Sequence, residues 1–207
     1  MSEPGGRPER LGILGGTFDP PHAGHVAAAL ACRERLGLDR VLFVVANDPW
    51  QKSPVRAVTA SGDRLAMVSA AVEGIPGAEV SSIELDRGGP SYTVQTVEAL
   101  AEAARARGAP APDQYLIVGA DVVDTLWTWH RVDDLARLVT LVVVGRPGAA
   151  APEAVPGWRL EVVDGSAVDV SSSEVRSLVA AGRPIAGMVP EAVERCIWRR
   201  GLYAVPR

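Results

Sequence analysis

Two histidines follow a pair of glycines near the start of the chain. Gly15 and Gly16 precede the string Thr17-Phe18-Asp19-Pro20-Pro21, after which His22 and His25 lie three residues apart. Glycines let a phosphate approach backbone amides, and the N-terminus of a following helix favours negative charge. Residues three apart share one face of a helix. The spacing therefore indicates a phosphate-binding segment that carries two imidazole groups.

This segment differs from the common nucleotide-binding motifs and from a zinc site. It lacks the Gly-Lys-Ser/Thr ending of a Walker loop and does not match the Rossmann glycine fingerprint. Two histidines could form half of a zinc site, but the chain adds only His130 and the distant Cys32 and Cys196. We therefore expect no metal site made by the protein. Solvated histidines on a helix surface remain the plainer alternative.

Lys52 is the single lysine among 21 basic residues. Either this is chance, or a compact ammonium charge is needed at that position, where a guanidinium would differ in shape and hydration. The surrounding residues, 47–59, contain two prolines and no periodicity. They are predicted to form a loop long enough to cover a site.

Strands and helices alternate along the chain. Apolar runs predict strands at 10–15, 40–46, 79–85, 114–118, 140–144 and 160–163. Helical patterns cover 22–36, 61–72, 91–107 and most of 122–138, with two more after 171–173 and from 190. Continuously apolar strands are typical of a parallel sheet covered on both faces. The predicted fold is α/β, a doubly wound Rossmann-like sheet with a small helical C-terminal end, about 171–203, and ligands bind beyond the carboxyl ends of such strands.

The composition narrows the class of protein. A chain of 207 residues with 47% hydrophobic residues suits one domain, over 10–207, after a mobile tail at 1–9. The formal charge of −4 argues against a nucleic-acid binder, and no apolar run approaches membrane-spanning length. We expect a cytoplasmic protein with no nucleic-acid or membrane partner. Cys32 and Cys196 are expected to be buried apolar residues, not a disulfide.

Two segments resemble the signatures of the nucleotidylyltransferase superfamily. The string from Gly15 to His25 is similar to the first signature in the bacterial, actinobacterial-type nicotinate-nucleotide adenylyltransferase branch. Ser171-Ser172-Ser173-Glu174-Val175-Arg176 resembles the second signature, Ile-Ser-Ser-Thr followed two residues later by Arg. Pro21 replaces the usual isoleucine, and Ser173 replaces threonine while keeping its hydroxyl. The resemblance runs from Leu11 to about Tyr203.

The middle of the chain resembles the substrate-binding segments of that branch. Gly119-Ala120-Asp121, eight residues before Trp129, is similar to the segment in which an aspartate contacts ribose and a tryptophan stacks on pyridine. Spacing favours Trp129 over Trp127. Ser91-Tyr92-Thr93 resembles the site where backbone amides receive the pyridine carboxylate. Lys52, in Trp50-Gln51-Lys52, and Arg146, before Pro147-Gly148, also match the branch.

The resemblance implies transfer of the adenylyl group of ATP to nicotinate mononucleotide, giving nicotinate adenine dinucleotide and pyrophosphate, in NAD biosynthesis. The implied catalytic residues are His22, His25, Lys52 and Arg176. The implied ATP-binding residues are Gly15, Gly16, Thr17, Phe18, His22, His25, Gly119, Asp121, Ser172, Ser173 and Arg176. The implied mononucleotide-binding residues are Lys52, Tyr92, Thr93, Asp121, Trp129 and Arg146. Mg²⁺ would arrive with ATP, held mainly by phosphate and water.

Three other functions fit parts of the sequence. Pantetheine-phosphate adenylyltransferase shares both terminal signatures but gives no reason for the pair Asp121 and Trp129. A class I aminoacyl-tRNA synthetase has a His-x-Gly-His string but also a lysine-rich second motif. A non-catalytic nucleotide-binding module would need the glycines without the histidines, Lys52 and Arg176 together. The C-terminal helices either make a homo-oligomer contact or complete the core.

Overall fold

The structure, a computed structural model, describes residues 7–48, 57–145, 153–165, 168 and 170–204. A six-stranded parallel sheet lies at its centre, in the order β3-β2-β1-β4-β5-β6. The strands are β1 Arg10–Gly16, β2 Arg40–Val45, β3 Ala78–Ser81, β4 Asp113–Gly119, β5 Val139–Val144 and β6 Arg159–Val163. The chain winds outwards from β1 to one edge and then from β4 to the other. This order confirms the predicted doubly wound fold.

Helices cover both faces of the sheet. They are α1 Ala23–Leu36, α2 Ser61–Val72, α3 Ile83–Arg87, α4 Thr93–Ala106, α5 Ala120–Val123, α6 Val132–Leu138, α7 Ser172–Ala180 and α8 Glu191–Arg200. A 3₁₀ turn, Leu126–Thr128, lies between α5 and α6. Buried residues of α1, α2, α7 and α8 share one apolar cluster, and those of α4 and α6 share the other. The small helical C-terminal end, α7 and α8, thus belongs to the first of these faces.

The two apolar clusters explain why the strands are continuously apolar. Ile13 packs in the cluster under α4, and its neighbour Leu14 packs in the cluster under α1. Successive side chains of a strand point to opposite faces, so both must be apolar when both faces are buried. Gly12 belongs to the same close packing, because a Cβ there would lie 2.8 Å from Cγ2 of Val41.

The predicted strand at 79–85 was wrong in its second half. β3 ends at Ser81, and Ile83–Arg87 forms the short helix α3. The Ser82 hydroxyl donates to the Asp86 carboxylate at 2.7 Å, and the Asp86 N–H donates to the Ser82 carbonyl oxygen at 2.8 Å. These local bonds offer the backbone an alternative to the sheet ladder. The apolar residues of this stretch therefore fit a helical turn as well as a strand.

The predicted helix over 122–138 is also broken. It is divided into α5, the 3₁₀ turn and α6, and Arg131, which precedes α6, has a left-handed backbone with φ of 52°. The hydroxyl groups of Thr125 and Thr128 donate to backbone carbonyl oxygens three residues earlier, at 2.8 and 2.7 Å. Threonines that bond locally to the backbone disfavour a continuous helix. The break places Trp129 in an irregular segment.

The remaining predictions differ little from the structure. Cys32 and Cys196 are both buried and unpaired, as expected of small apolar residues. The helix predicted from 190 begins one residue later, with Pro190 as the N-cap residue of α8. No helix within the described ranges has the length and apolar character needed to cross a membrane. The predicted tail, 1–9, lies mostly outside the described residues, and Lys52 and Arg146 lie wholly outside them.

Candidate active site

A cavity of about 370 Å³ opens at the carboxyl ends of β1 and β4. These two strands are neighbours in the sheet, and the chain leaves them in opposite directions. Such a switch point is where ligands bind in open α/β sheets. The lining residues come from several elements and are Gly15, Gly16, Thr17, Ala46, Glu84, Ser91, Tyr92, Thr93, Leu116, Ile117, Val118, Asp121, Val122, Thr125, Trp129 and His130.

The paired glycines shape the cavity wall at the end of β1. A Cβ added to Gly15 would meet no protein atom within 4 Å, so a side chain there would occupy open space beside the cavity. A Cβ added to Gly16 would lie 3.0 Å from the ring of Phe18. Phe18 itself has a φ of 50°, a left-handed conformation that bulky residues seldom adopt. The backbone of this turn is therefore exposed to a ligand and closely packed on its other side.

His22 and His25 lie together at the start of α1. His22 is the N-cap residue, and its backbone N–H donates to Nδ1 of His25 at 3.1 Å. The two ring centroids are 3.7 Å apart. Because Nδ1 of His25 accepts a hydrogen bond, a neutral ring carries its hydrogen on Nε2. His25 thus presents Nε2 as a donor.

The ring of His22 lies in the space left by Gly24 and is uncharged near pH 7. A Cβ on Gly24 would lie 3.0 Å from Nδ1 of His22, closer than most real contacts. Burial lowers the pKa of His22 to about 4. Desolvation disfavours the charged imidazolium. Whatever His22 contributes near neutral pH, it contributes as an uncharged group.

The first turn of α7 docks against the first signature. Ser171 caps the helix, accepting the Glu174 N–H at 3.1 Å. The Ser172 hydroxyl donates to the carbonyl oxygen of Pro20 at 2.8 Å. Arg176 donates through Nη2 to the Ser173 hydroxyl oxygen at 3.0 Å. The three serines therefore have separate contacts: Ser171 caps α7, Ser172 joins α7 to the first signature, and Ser173 binds Arg176.

Asp19, in the first signature, makes buried contacts in the same region. Its side chain is 2% exposed and accepts a hydrogen bond from the Tyr203 hydroxyl at 2.8 Å. Burial, then the nearby Asp19 carboxylate, raises the pKa of Tyr203 above its ordinary value. No sequence motif predicts this pair, because its two residues are 184 positions apart.

The start of α4 also lines the cavity. Tyr92 is the N-cap residue of α4, and Ser91 precedes it. The backbone N–H of Asn47 donates to the Ser91 hydroxyl oxygen at 2.8 Å, and its Nδ2 donates to the Gly89 carbonyl oxygen at 2.9 Å. First-turn amides of a helix have no partner within the helix. Backbone amides at the start of α4 are thus available to an anionic group, and the carboxylate site at Tyr92 and Thr93 stays a prediction.

Trp129, and not Trp127, lines the cavity. The Trp127 side chain is 77% exposed, and its Nε1 donates to the carbonyl oxygen of Asp124 at 2.9 Å. The indole Nε1 of Trp129 is buried and has no hydrogen-bond partner among the described residues. The rings of Tyr92 and His130 stack nearby, with centroids 4.3 Å apart. Aromatic surfaces thus surround this part of the cavity.

Asp121 extends from the end of β4 into the cavity lining. A Cβ on Gly119 would lie 2.6 Å from Oδ1 of Asp121, so only glycine at position 119 leaves the carboxylate in its place. Gly119, predicted to bind ATP, thus acts at least by making room for Asp121. A carboxylate at this position can accept hydrogen bonds from sugar hydroxyls.

The predicted residues are brought together in two adjoining groups. Those in the cavity lining are Gly15, Gly16, Thr17, Tyr92, Thr93, Asp121 and Trp129. A second group, around α1 and α7, contains Phe18, His22, His25, Ser172, Ser173 and Arg176. The prediction omitted His130 and the buried Glu84, which also line the cavity. A buried carboxylate held by the Thr96 hydroxyl at 2.6 Å has no signal in the sequence.

Metal-ligating side chains do not cluster in the described part of the chain. No group of three or more His, Cys, Asp or Glu side chains there could hold a metal ion. The groups around α1 and α7 are imidazole, hydroxyl and guanidinium, which suit phosphate oxygens as partners. A hard cation such as Mg²⁺ prefers oxygen ligands from phosphate and water. The donor set therefore fits a nucleotide that carries its own metal ion.

Comparison with known proteins gives a consistent set of relatives. The model of the Cytidylyltransferase-like family matches residues 13–178. A Bordetella petrii protein named as a probable nicotinate-nucleotide adenylyltransferase is 40% identical, over 94% of this chain and 99% of its own length. Proteins of the same name from Acidothermus cellulolyticus and Gemmatimonas aurantiaca are 37% and 43% identical. The match with the Acidothermus cellulolyticus protein covers 96% of each chain. The match with the Gemmatimonas aurantiaca protein covers 94% of this chain and 92% of that relative.

Solved structures share the same arrangement of strands and helices. Plasmodium falciparum nicotinic acid mononucleotide adenylyltransferase complexed with APC has a TM-score of 0.75 at 16% identity. The match covers 94% of this chain and 97% of that one. The complex of the same enzyme with NaAD gives a TM-score of 0.74. At this identity the likeness shows a common fold.

Proposed function

The chain belongs to the Cytidylyltransferase-like family and to its nicotinate-nucleotide adenylyltransferases, and from this membership we propose how its residues carry out the reaction. The enzyme transfers the adenylyl group of ATP to nicotinate mononucleotide and releases pyrophosphate, forming nicotinate adenine dinucleotide for NAD biosynthesis. One observation carries the assignment of the site. A single cavity is lined both by the glycine turn and by the start of α4 with Trp129.

The reaction is an in-line displacement at the α-phosphorus of ATP. A phosphate oxygen of the mononucleotide forms the new P–O bond, and the bond from the α-phosphorus to the bridging oxygen of pyrophosphate breaks. The attacking phosphate is already anionic near neutral pH, so no general base is required. Rate enhancement then depends on positioning and on stabilising the charge of the phosphoryl oxygens. The uncharged His22 and the donor Nε2 of His25 suit this requirement.

The phosphates of ATP are proposed to bind across the first and second signatures. Backbone amides of Gly15, Gly16, Thr17 and Phe18 would contact phosphate oxygens, and His25 would donate to the α-phosphate. Arg176 and Ser173, at the first turn of α7, would hold the β- and γ-phosphates. Support comes from the bond of the Ser172 hydroxyl to the Pro20 carbonyl oxygen, which joins α7 to the first signature.

The mononucleotide is proposed to bind at the start of α4. The pyridine carboxylate would accept hydrogen bonds from the backbone amides near Tyr92 and Thr93, and the ring would stack on Trp129. Asp121 would accept hydrogen bonds from ribose. Lys52 and Arg146, outside the described residues, keep their predicted role in binding the mononucleotide, and Lys52 its predicted catalytic role. The buried indole N–H of Trp129, which has no partner in the described part of the chain, also fits a ligand with an acceptor at this position.

Mg²⁺ is proposed to enter as part of the MgATP substrate. When bound it would neutralise charge on the triphosphate, while His22, His25, Ser173 and Arg176 hold the phosphate oxygens directly. A cytoplasmic location is part of the same proposal, because both substrates are metabolites of that compartment. We expect specificity for nicotinate over nicotinamide mononucleotide, because the backbone N–H groups pair with a carboxylate. A carboxamide in the same position leaves some of these donors unsatisfied.

Pyrophosphate release measures both the reaction and its specificity. The assay contains ATP, Mg²⁺ and either nicotinate mononucleotide, its amide or pantetheine phosphate as acceptor. We expect rapid release with the acid and little with the other two. Equal rates with acid and amide would contradict the carboxylate contact but keep the reaction. Release with pantetheine phosphate alone would move the chain to that activity, and binding of ATP without any release would indicate a non-catalytic module.

A further inference from the structure

Arg64, on α2, is among the largest fully buried side chains of the protein. Its exposed fraction is 1%, and it lies outside both signatures and outside the cavity lining. Burying a guanidinium removes its hydration, so the group must be satisfied by close acceptors. Those acceptors identify what the residue does.

The guanidinium donates to backbone carbonyl oxygens of three separate segments. Nη1 lies 2.9 Å from the carbonyl oxygen of Thr17, and Nε lies 2.8 Å from that of Thr59. Nη2 lies 3.3 Å from the carbonyl oxygen of Asn47. Thr17 belongs to the glycine turn, and Asn47 follows β2. One planar side chain therefore fixes the distance between the exits of β1 and β2.

Each of these segments leads to a different substrate. Thr17 lines the cavity beside the proposed phosphate-binding amides. Asn47 is hydrogen-bonded to the segment that precedes α4. Its backbone N–H donates to the Ser91 hydroxyl oxygen, and its Nδ2 donates to the Gly89 carbonyl oxygen. Ser91 directly precedes the N-cap of α4. A continuous set of hydrogen bonds thus runs from the ATP side through Arg64 to the mononucleotide side.

Thr59 adds a second connection to the ATP side. Its carbonyl oxygen accepts from Arg64, while its N–H donates to Oδ2 of Asp19 at 3.5 Å. Asp19 lies two residues after Thr17, in the first signature. Arg64 therefore holds this signature both directly, at Thr17, and through Thr59.

We propose that Arg64 is a positioning residue for adenylyl transfer, which sets the mononucleotide-binding segment against the ATP-binding turn without touching either substrate. This inference rests on the proposed function. In-line attack requires the two phosphates in a defined relative position, and a shift of about 1 Å can cost about 10²-fold in rate. Each substrate alone contacts only one segment, so its own affinity depends little on the distance between them.

The experiment compares Arg64→Lys with wild type and with Val68→Ala in the pyrophosphate assay. A lysine keeps the charge but lacks the planar fork that reaches several carbonyl oxygens. Val68, one turn further along α2, is fully buried in the apolar cluster. Its truncation destabilises the same helix without removing a polar contact, so it serves as the matched control. All three proteins are measured at a temperature where circular dichroism shows them folded.

We expect Arg64→Lys to lower kcat by about tenfold or more while the Kd of ATP and of nicotinate mononucleotide, each measured alone, change less than about threefold. Val68→Ala should keep kcat within about twofold of wild type. An equal loss of kcat in both variants would overturn the proposal. So would a loss confined to the affinity for one substrate. Wild type without pyrophosphate release contradicts the proposed function itself, and the role of Arg64 with it.

Asn47→Ala provides a second test that leaves the buried guanidinium in place. It removes only the bond from Nδ2 to the Gly89 carbonyl oxygen. We expect a smaller decrease in kcat than for Arg64→Lys, with unchanged affinity for both substrates. In the double variant, the fold-decrease in kcat should be smaller than the product of the two single fold-decreases. If Arg64→Lys does not fold, Asn47→Ala decides: an unchanged kcat overturns the proposal.

Discussion

The guanidinium of Arg176 donates through Nη1 to the backbone carbonyl oxygen of Asp19 at 2.7 Å, across 157 residues of sequence. The two signatures of the chain are thus joined by a direct hydrogen bond, in addition to the one from Ser172 to Pro20. A residue proposed to hold phosphates also holds the backbone beside them. The proposed ATP site therefore combines the glycine turn with the first turn of α7.

Arg176→Ala should weaken ATP binding while the protein stays folded. The variant loses the proposed contacts to the β- and γ-phosphates, so we expect KM for ATP to rise about tenfold or more, with KM for the mononucleotide within about threefold. Steady-state kinetics with each substrate varied in turn measure both constants. Arg183→Ala, an exposed arginine just after α7, is the control and should behave as wild type. A larger rise in KM for the mononucleotide would contradict the assignment.

His25→Ala should lower turnover with little effect on folding. The donor at Nε2 is proposed to stabilise charge on the α-phosphate in the transition state, and removing one such donor costs about 10²–10³ in kcat. Single-turnover measurements of pyrophosphate release test this, with Arg35→Ala, exposed on the same helix, as the control. A kcat of His25→Ala near the wild-type value would show that the assignment is wrong.

Trp129→Ala should raise KM for nicotinate mononucleotide far more than KM for ATP. Loss of the proposed stacking surface removes about 1–3 kcal/mol of binding, or roughly 5- to 150-fold in affinity. Trp127→Ala is a matched control, because Trp127 is exposed outside the cavity lining. Equal changes in both constants for Trp129→Ala would remove the stacking role, and an effect of Trp127→Ala on the mononucleotide alone would transfer that role to Trp127.

Stability should fall as the pH is lowered because His22 resists protonation in the fold. Its pKa is about 4 in the native protein and 6.5 when unfolded, so the unfolded chain takes up the proton first. The contribution is fully present above pH 6.5 and is lost progressively toward pH 4. For a half-buried ring we expect about 1 kcal/mol between pH 7 and pH 5. Urea unfolding of wild type and His22→Asn at both pH values measures it. The same pH dependence in both proteins would contradict the prediction.

The strands of the sheet and the two signature segments could be recognised from the sequence, because each depends on local residue order. A continuously apolar strand such as β2 and a glycine pair such as Gly15-Gly16 can be read without knowing the fold. Arg64, Glu84 and Tyr203 could not be predicted, since each acts through partners that only the folded chain brings near. The breaks around Ser82 and Thr125 were missed for a related reason: single hydroxyl groups redirect the backbone there, and apolar periodicity does not report them.

Tyr203→Phe should destabilise the protein and disturb the ATP site from a distance. The change removes the hydroxyl that donates to Oδ1 of Asp19 at 2.8 Å and leaves that buried carboxylate with one donor fewer. We expect a loss of about 1–3 kcal/mol in the free energy of unfolding. Because Asp19 also holds Thr59 and, through its carbonyl oxygen, Arg176, KM for ATP should rise about threefold or more while KM for the mononucleotide changes less. Tyr115→Phe is the control, since the Tyr115 ring lies against the Arg10 guanidinium, and Tyr115 belongs to neither signature nor the cavity lining. Equal stability of Tyr203→Phe and Tyr115→Phe would show that the bond to Asp19 does not support the site.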